Sequence, residues 1–154
     1  MVVRITKQGR IRNHDGRIAA TPEGPVVRLY KVTRRHQEIT LVGPMLGAPY
    51  AVMVLEKLIV LGAKEILFLG WCGSIRQEVR IADFVVPDRA VIGEGTSGYY
   101  PLDNEYPRPS DGIIKAIERS LQICSIPFHR GPVWSTDAPY RETRRGADCG
   151  LCSP

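Results

Sequence analysis

An apolar run that enters a glycine-lined turn constrains the fold of this chain more than any other feature. Residues 62–74 read GAKEILFLGWCGS. Such a run predicts a buried strand that ends in a loop, and glycine lets the backbone there approach a ligand closely. Two further glycine turns, at 42–49 and 93–100, each lie beside another predicted strand. The pattern therefore predicts three successive loops at strand ends.

The segment around the first two turns has the pattern of a strand, a helix and a second strand. Ile39 to Val42 is a short apolar strand, and Gly62 is placed to end a helix that begins at Pro49. About thirty residues hold all three elements, which is the spacing of a right-handed parallel crossover. The second strand is predicted over Glu65 to Leu69, and the helix is predicted to bury Val52, Leu55, Leu58 and Ile59.

Three more elements are predicted downstream. A strand covers Asp83 to Ile92, and Pro87 within it suits a sheet edge, a bulge or a bend. Ser110 is a good N-cap for an amphipathic helix that ends at Ile123, and its apolar face comprises Ile113, Ile114, Ile117 and Leu121. His129 to Ser135 is the last strand. These elements predict an α/β fold whose sheet is at least partly parallel.

The length of 154 residues predicts a single domain. We expect a poorly defined basic segment over 1–38, in which only Val26 to Val32 is a plausible strand. An α/β domain follows over 39–145, and residues 146–154, which have neither helical nor strand periodicity, form an unstructured tail.

Composition and charge argue against several classes of protein. No apolar stretch reaches the roughly 18 residues of a membrane span, and charged residues interrupt the N-terminus where a secretory signal would need an apolar run. We therefore expect a cytoplasmic protein with no membrane partner. The net charge of +5 is concentrated at the two ends of the chain without a recognisable nucleic-acid-binding motif, so no nucleic-acid partner is expected.

The cysteines and histidines do not predict a metal site or a catalytic nucleophile. Cys149 and Cys152 form a single CxxC, and no second metal-binding pair accompanies it. Cys72 and Cys124 stand alone and are expected to be small buried side chains. No serine or cysteine has a matched base and no paired carboxylates are present, so no catalytic residue is assigned.

The predicted loops supply the candidate binding residues, and each has a structural alternative. Gly43 lies in a turn before a helix N-terminus, which favours anions, although it is equally a tight turn for packing. Trp71 is suited to stacking on a base or sugar, or else to plugging the core. The other candidates are Gly73 and Ser74 in the same loop, Glu94, Thr96 and Ser97 in a polar loop, and Tyr140 after the last strand.

Several strings, in order from about Ile39 to Thr143, resemble the nucleoside phosphorylase family, which includes purine nucleoside and uridine phosphorylases. They are GAKEI at 62–66, GxCGS at 70–74, IADFVVP at 81–87, EGTS at 94–97 and STDAPY at 135–140. The resemblance implies an α/β fold with a mixed, partly parallel central sheet that is flanked by helices. It implies that a nucleoside and inorganic phosphate are the substrates, with no other cofactor, and that the chain forms a dimer or trimer of dimers. It also implies that Cys72 and Gly73 line the base and that Tyr140 covers it.

The sequence departs from the family pattern at the expected phosphate site. No Gly-Asp-Pro turn occurs near the N-terminus, Phe68 stands where an arginine is usual, and Trp71 stands where a small Ser or Thr is usual. Nucleosidases, which hydrolyse the same bond on the same fold, also lack that arginine. The chain stops before the family's Met-Glu segment, so we expect a truncation at the C-terminus. Phosphorolysis, hydrolysis and a non-catalytic truncated member therefore all remain open.

Overall fold

A computed structural model describes residues 2–5, 17–18, 27–34, 37–102 and 106–142 of the chain. It divides the chain into two compact units, Met1–Trp71 and Cys72–Pro154. The proposed tail at 146–154 lies outside the described residues, and so does much of the segment 1–38. The predicted boundaries at 38 and 145 therefore stay predictions.

The first unit contains one five-stranded sheet and one helix. The sheet has the strand order β2-β3-β4-β1-β5. Its elements are β1 (Val2–Ile5), β2 (Arg17–Ile18), β3 (Val27–Arg34), β4 (Gln37–Gly43) and β5 (Ala63–Leu67), with the helix α1 (Ala48–Val60) between β4 and β5. The strand predicted at Val26 to Val32 is thus found as β3. The prediction of no other strand in this segment is wrong, because β1 and β2 also lie there and are held by pairing with β4, β5 and β3.

The parallel crossover predicted from the sequence is present, with one strand inserted into it. β1 pairs antiparallel with β4 and also with β5. Since both neighbours run opposite to β1, β4 and β5 run parallel to each other. Their carboxyl ends therefore lie at the same edge of the sheet, with β1 between them.

The glycines on either side of α1 set its ends. Gly47 is the N-cap residue with φ +79°, a backbone conformation that residues with a Cβ rarely adopt, and Pro49 occupies the first turn. At the other end Gly62 has φ +93° and donates its N–H to the carbonyl of Ile59 at 2.9 Å. The predicted end of the helix at Gly62 is confirmed.

The face of α1 that packs on the sheet differs from the predicted one. Leu58 is fully buried as expected, and the other fully buried helical residue is Val54, one turn before it. Ile59 is 54% exposed, and Val52 and Leu55 are only half-buried. Because apolar residues occur on every side of this helix, its sequence alone does not select the stripe that meets the core. The core also contains Val27, Val42 and Ala63.

The predicted strand over Glu65 to Leu69 begins two residues earlier, directly after Gly62. It was expected to be buried, but within β5 only Ala63 is buried, and Leu69 beyond its end is 77% exposed. β5 stands at the end of the sheet order, so it has a neighbour on one side among the described strands. Apolar side chains favour burial, but β5 lies at the edge of the sheet. Most of its apolar run therefore remains exposed.

The second unit is built on two parallel strands and a helix, which are β6 (Phe84–Gly93), α2 (Asp111–Ile123) and β7 (Phe128–Thr136). The register of β6 and β7 shifts between Pro87 and Arg89, which confirms an irregularity at Pro87. Ser110 is the N-cap residue of α2 as predicted, although its side chain makes no capping hydrogen bond. Ile114 on the predicted apolar face is buried, as is Val86 of β6.

Within the described part of the chain, no helix combines the length and the apolar character that crossing a bilayer requires.

Candidate functional site

The carboxyl ends of β6 and β7 bring two of the predicted binding loops to one edge of the second unit. The two strands are parallel, and the register places Gly93 opposite Thr136 at their last residues. The loop that starts at Glu94 and the loop that starts at Asp137 therefore leave the sheet side by side. Ligands of open α/β sheets bind outside the carboxyl ends of the strands, so this edge is the candidate site.

The loop after β6 is closed by the carboxylate of Glu94. It accepts hydrogen bonds from the N–H of Thr96 at 2.6 Å, from the N–H of Ser97 at 3.2 Å and from the Ser97 hydroxyl. These bonds hold the first residues of a short 3-10 helix, Thr96–Tyr99. The structure thus brings together the three candidate residues of this loop.

The hydrogen bonds of Glu94 also decide its charge. Its partial burial would raise the pKa of the carboxyl, but the bonds from the Ser97 hydroxyl and from the Thr96 and Ser97 N–H groups outweigh that effect. The net result is a pKa below the usual 4.5. Glu94 is therefore an ionised acceptor at neutral pH, and its hydrogen-bonding capacity is used largely within the loop.

The loop after β7 carries Tyr140 and contacts the loop after β6. Oδ2 of Asp137 accepts a hydrogen bond of 2.9 Å from the N–H of Gly95, 42 positions earlier in the chain. The loop is also closed locally, because the N–H of Ala138 donates to Oγ1 of Thr136 at 3.1 Å and the N–H of Arg141 donates to the carbonyl of Ala138 at 2.8 Å. Tyr140 itself is fully exposed.

Trp134 is a residue at this edge that the sequence analysis missed. Its indole lies against the backbone of Gly93, and a Cβ on Gly93 would overlap the ring and stand 2.8 Å from the carbonyl oxygen of Ser135. A glycine at the end of a strand beside a tryptophan on another strand has no sequence signal, since the pairing of β6 with β7 creates the contact.

The glycine loop at 72–74 is placed at the surface of the second unit. Cys72, Gly73 and Ser74 are all exposed, and a Cβ on Gly73 would meet no atom within 4 Å. The Ser74 hydroxyl donates to the carbonyl of Arg76 at 2.8 Å and accepts from the N–H of Arg76 at 3.1 Å. These bonds form a local turn, so the serine shapes its own loop.

The two remaining candidates, Gly43 and Trp71, belong to the first unit. Gly43 is the last residue of β4, and Trp71 follows β5 by four residues, so both come after the carboxyl ends of parallel strands. Trp71 is fully exposed. The alternative in which its side chain plugs the core is therefore wrong for the described structure.

The opposite edge of the parallel pair carries a contact between a histidine and a carboxylate. Nε2 of His129, at the start of β7, lies 3.1 Å from Oδ2 of Asp83, just before β6. The hydrogen bond from the Arg80 N–H is the main reason that the pKa of Asp83 is lowered, and the His129 contact adds to it. This arrangement ties the starts of the two strands together and gives His129 a structural role.

A second charged cluster links β7 to α2 and β6. Arg130 lies 3.3 Å from Oε1 of Glu118 and 3.5 Å from Oδ2 of Asp88. Oδ1 of Asp88 is buried and has no hydrogen-bond partner among the described residues. The guanidinium of Arg130 lies against Oδ2 of Asp88 and against Glu118, so the cluster connects β7 with β6 and α2.

The described residues include no arrangement of three or more His, Cys, Asp or Glu side chains that would hold a metal ion. Cys149, Cys152, His14 and His36 lie outside the described residues. The expectation that Cys72 and Cys124 are buried is wrong, since both are exposed thiols. Cys72 sits in an open loop, and Cys124 comes at the end of α2, where the chain turns at the surface.

Comparisons with known proteins identify one family over nearly the whole chain. Residues 7–148 match the family model described as the phosphorylase superfamily. The chain is 29% identical over 125 residues to a guanosine phosphorylase of Halorubrum lacusprofundi, an alignment that covers 79% of this chain and 52% of the relative. It is 29% identical over 103 residues to a uridine phosphorylase of Thermococcus kodakarensis, covering 66% of this chain and 37% of the relative.

A solved structure shares the fold. The purine nucleoside phosphorylase of Toxoplasma gondii superposes with a TM-score of 0.73 at 23% identity, over 83% of this chain and 51% of that chain. The present chain thus spans about half the length, or less, of the proteins that it matches.

Proposed function

The chain belongs to the phosphorylase superfamily, and we propose that it acts as a nucleoside phosphorylase-like pentosyltransferase. The proposed reaction cleaves the N-glycosidic bond of a purine or pyrimidine nucleoside. The electron pair of that bond leaves with the base, which takes up a proton, while an oxygen of inorganic phosphate forms the new bond to the anomeric carbon. No other cofactor is needed, and the proposed assembly is a cytoplasmic homo-oligomer.

The observation that carries this proposal is the pair of loops at the carboxyl ends of β6 and β7. The hydrogen bond between Gly95 and Asp137 holds the Glu94–Ser97 loop beside the segment of Tyr140. The exposed ring of Tyr140 suits contact with a base, and the Glu94 carboxylate places a fixed negative charge beside the loop. The transition state resembles a sugar oxocarbenium ion, so fixed dipoles and anions around the sugar are the principal demand on such a site.

The other candidate residues retain their proposed roles in binding the substrate. Cys72 and Gly73 are proposed to line the base and Tyr140 to cover it, while Glu94, Thr96 and Ser97 are proposed to hold a sugar hydroxyl or a base edge. In the first unit, Gly43 is proposed to favour an anion and Trp71 to stand at the phosphate and ribose. In the second unit, Ser74 is proposed to donate or accept a hydrogen bond.

The test is an assay of base release by the purified full chain. Inosine, guanosine and uridine are each incubated with phosphate, with arsenate or with neither anion, and free base is separated by chromatography. We expect base release that requires phosphate or arsenate, with pentose 1-phosphate formed only when phosphate is present. Release of base at equal rates without either anion would contradict phosphorolysis.

Hydrolysis is the second candidate, because the resemblance to the family puts Phe68 where an arginine is usual in phosphorylases. Its signature in the same assay is anion-independent release of base together with free pentose. The third candidate is a non-catalytic member of the family. It is kept because this chain covers about half the length of the relatives it matches. In that case isothermal calorimetry with the nucleosides and free bases would detect no binding.

A further inference from the structure

We propose that Asp137 is a positioning residue whose carboxylate fixes the Glu94–Ser97 loop against the segment that carries Tyr140. Asp137 acts through the backbone of Gly95 and is not itself assigned a contact with substrate. The inference rests on the proposed function for its consequence in catalysis, while its structural part is testable without any activity.

Asp137 and Gly95 lie just beyond the same edge of the parallel strand pair. Asp137 is the first residue after β7, and Gly95 is the second residue after β6. Their hydrogen bond of 2.9 Å therefore joins two loops that leave neighbouring parallel strands. An ionised acceptor makes such a bond stronger than one between neutral groups.

Each of the two loops is also closed by hydrogen bonds between its own residues. Glu94 accepts from Thr96 and Ser97 within its own loop. Thr136 and Ala138 close the other loop with their own hydrogen bonds. These local bonds give each loop its shape, whereas the Asp137 bond joins one loop directly to the other beyond the ends of the paired strands.

Tyr140 lies in the loop that starts at Asp137. Its side chain is fully exposed, so packing against the described residues does not hold it in place. Its position follows from the backbone of the loop that starts at Asp137. A tyrosine that is to cover a base above the neighbouring loop must have that backbone anchored, and the contact between Asp137 and Gly95 is such an anchor.

The donor in this contact is a backbone N–H, which supplies a matched control. A Cβ on Gly95 would lie 3.8 Å from Oδ2 of Asp137, an ordinary contact distance, and the backbone there has φ −85° and ψ −20°. Gly95→Ala therefore keeps both the donor and its geometry. Asp137→Ala removes the acceptor, whereas Asp137→Asn keeps a neutral acceptor oxygen in the same place.

The experiment measures amide hydrogen exchange in the full chain and in these three variants. For Asp137→Ala we expect exchange at Gly95, Thr96 and Ser97 to rise roughly tenfold or more, with α2 unchanged. Asp137→Asn should restore part of the protection, and Gly95→Ala should match the original protein. Unchanged exchange at 95–97 in Asp137→Ala would overturn the proposal, and so would a rise of the same size throughout α2.

The same variants are then compared in the base-release assay. Asp137→Ala should raise the KM for nucleoside several-fold more than it lowers kcat, with partial rescue in Asp137→Asn. Loop exchange that rises without any change in KM would overturn the positioning role. If the original chain releases no base at all, the proposed function fails, and the exchange data alone support or overturn the anchoring by Asp137.

Discussion

The indole of Trp134 lies against the backbone of Gly93, where β6 reaches the edge of the candidate site. Because Gly93 has no side chain, the ring can approach its backbone. The contact shows that the two strands are fitted to each other at the end from which both loops depart.

Gly93→Ala should destabilise the second unit, because the new methyl group would overlap the Trp134 ring and crowd the carbonyl of Ser135. Overpacking of this kind costs about 1–3 kcal/mol in the free energy of unfolding. Gly98→Ala is the control, since a Cβ there would meet no atom within 4 Å. Denaturant unfolding that ranks the two variants equally would contradict the observed packing.

Leu58→Ala should cost roughly 2–5 kcal/mol in the free energy of unfolding, because Leu58 is fully buried in the core of the first unit. The adjacent substitution Ile59→Ala should cost far less, about 0.5 kcal/mol, since Ile59 is 54% exposed. Chemical denaturation of both variants compares the observed helix face with the one predicted from the sequence. Equal losses would favour the predicted face.

Glu94→Gln should destabilise the chain by roughly 1–3 kcal/mol at pH 7, because a neutral amide accepts the loop's hydrogen bonds less well. The folded pKa of Glu94 lies below its usual 4.5, so the carboxylate contributes stability above that pH and loses it as the pH falls through the folded value. The difference between the two proteins should therefore shrink below pH 4.5 in unfolding measurements. Glu78→Gln, which loses an exposed ion pair with Arg76, is the control with little effect at any pH.

Trp71→Ser should leave the free energy of unfolding within about 0.5 kcal/mol, because the side chain is fully exposed. If the residue stands at the phosphate and ribose as proposed, the smaller side chain should also increase affinity for nucleoside or phosphate in calorimetry. Leu69→Ser changes an exposed apolar residue in the same segment and should alter neither quantity. A folded Trp71→Ser variant with unchanged affinity for both ligands would place Trp71 outside the site.

Local chemistry made several elements predictable from the sequence. Gly62 ends α1 because a residue without a Cβ adopts the positive φ found there, and Ser110 precedes α2 as an N-cap residue. Pro87 interrupts the ladder of β6 because it lacks an N–H, and the register shifts beside it. Order and spacing of the elements were sufficient to predict the α/β class and its parallel strands.

Burial was predicted less well than the elements. Ile59, Leu69 and Cys72 were all expected to be buried and all are exposed. Apolar side chains report a preference for burial, whereas the neighbouring elements determine whether cover is available. An edge strand such as β5 and a helix with apolar residues on every side leave that choice open.

The sequence by itself determined where the chain turns, the main helices and strands from β3 onward, and that glycine-rich and polar loops follow the strands. Those properties depend on residues close together in the chain. The tertiary structure alone decided that Asp137 holds Gly95, that Trp134 covers Gly93 and that His129 pairs with Asp83. Each of these contacts joins residues some forty positions apart, and they exist because β6 and β7 lie parallel in one register.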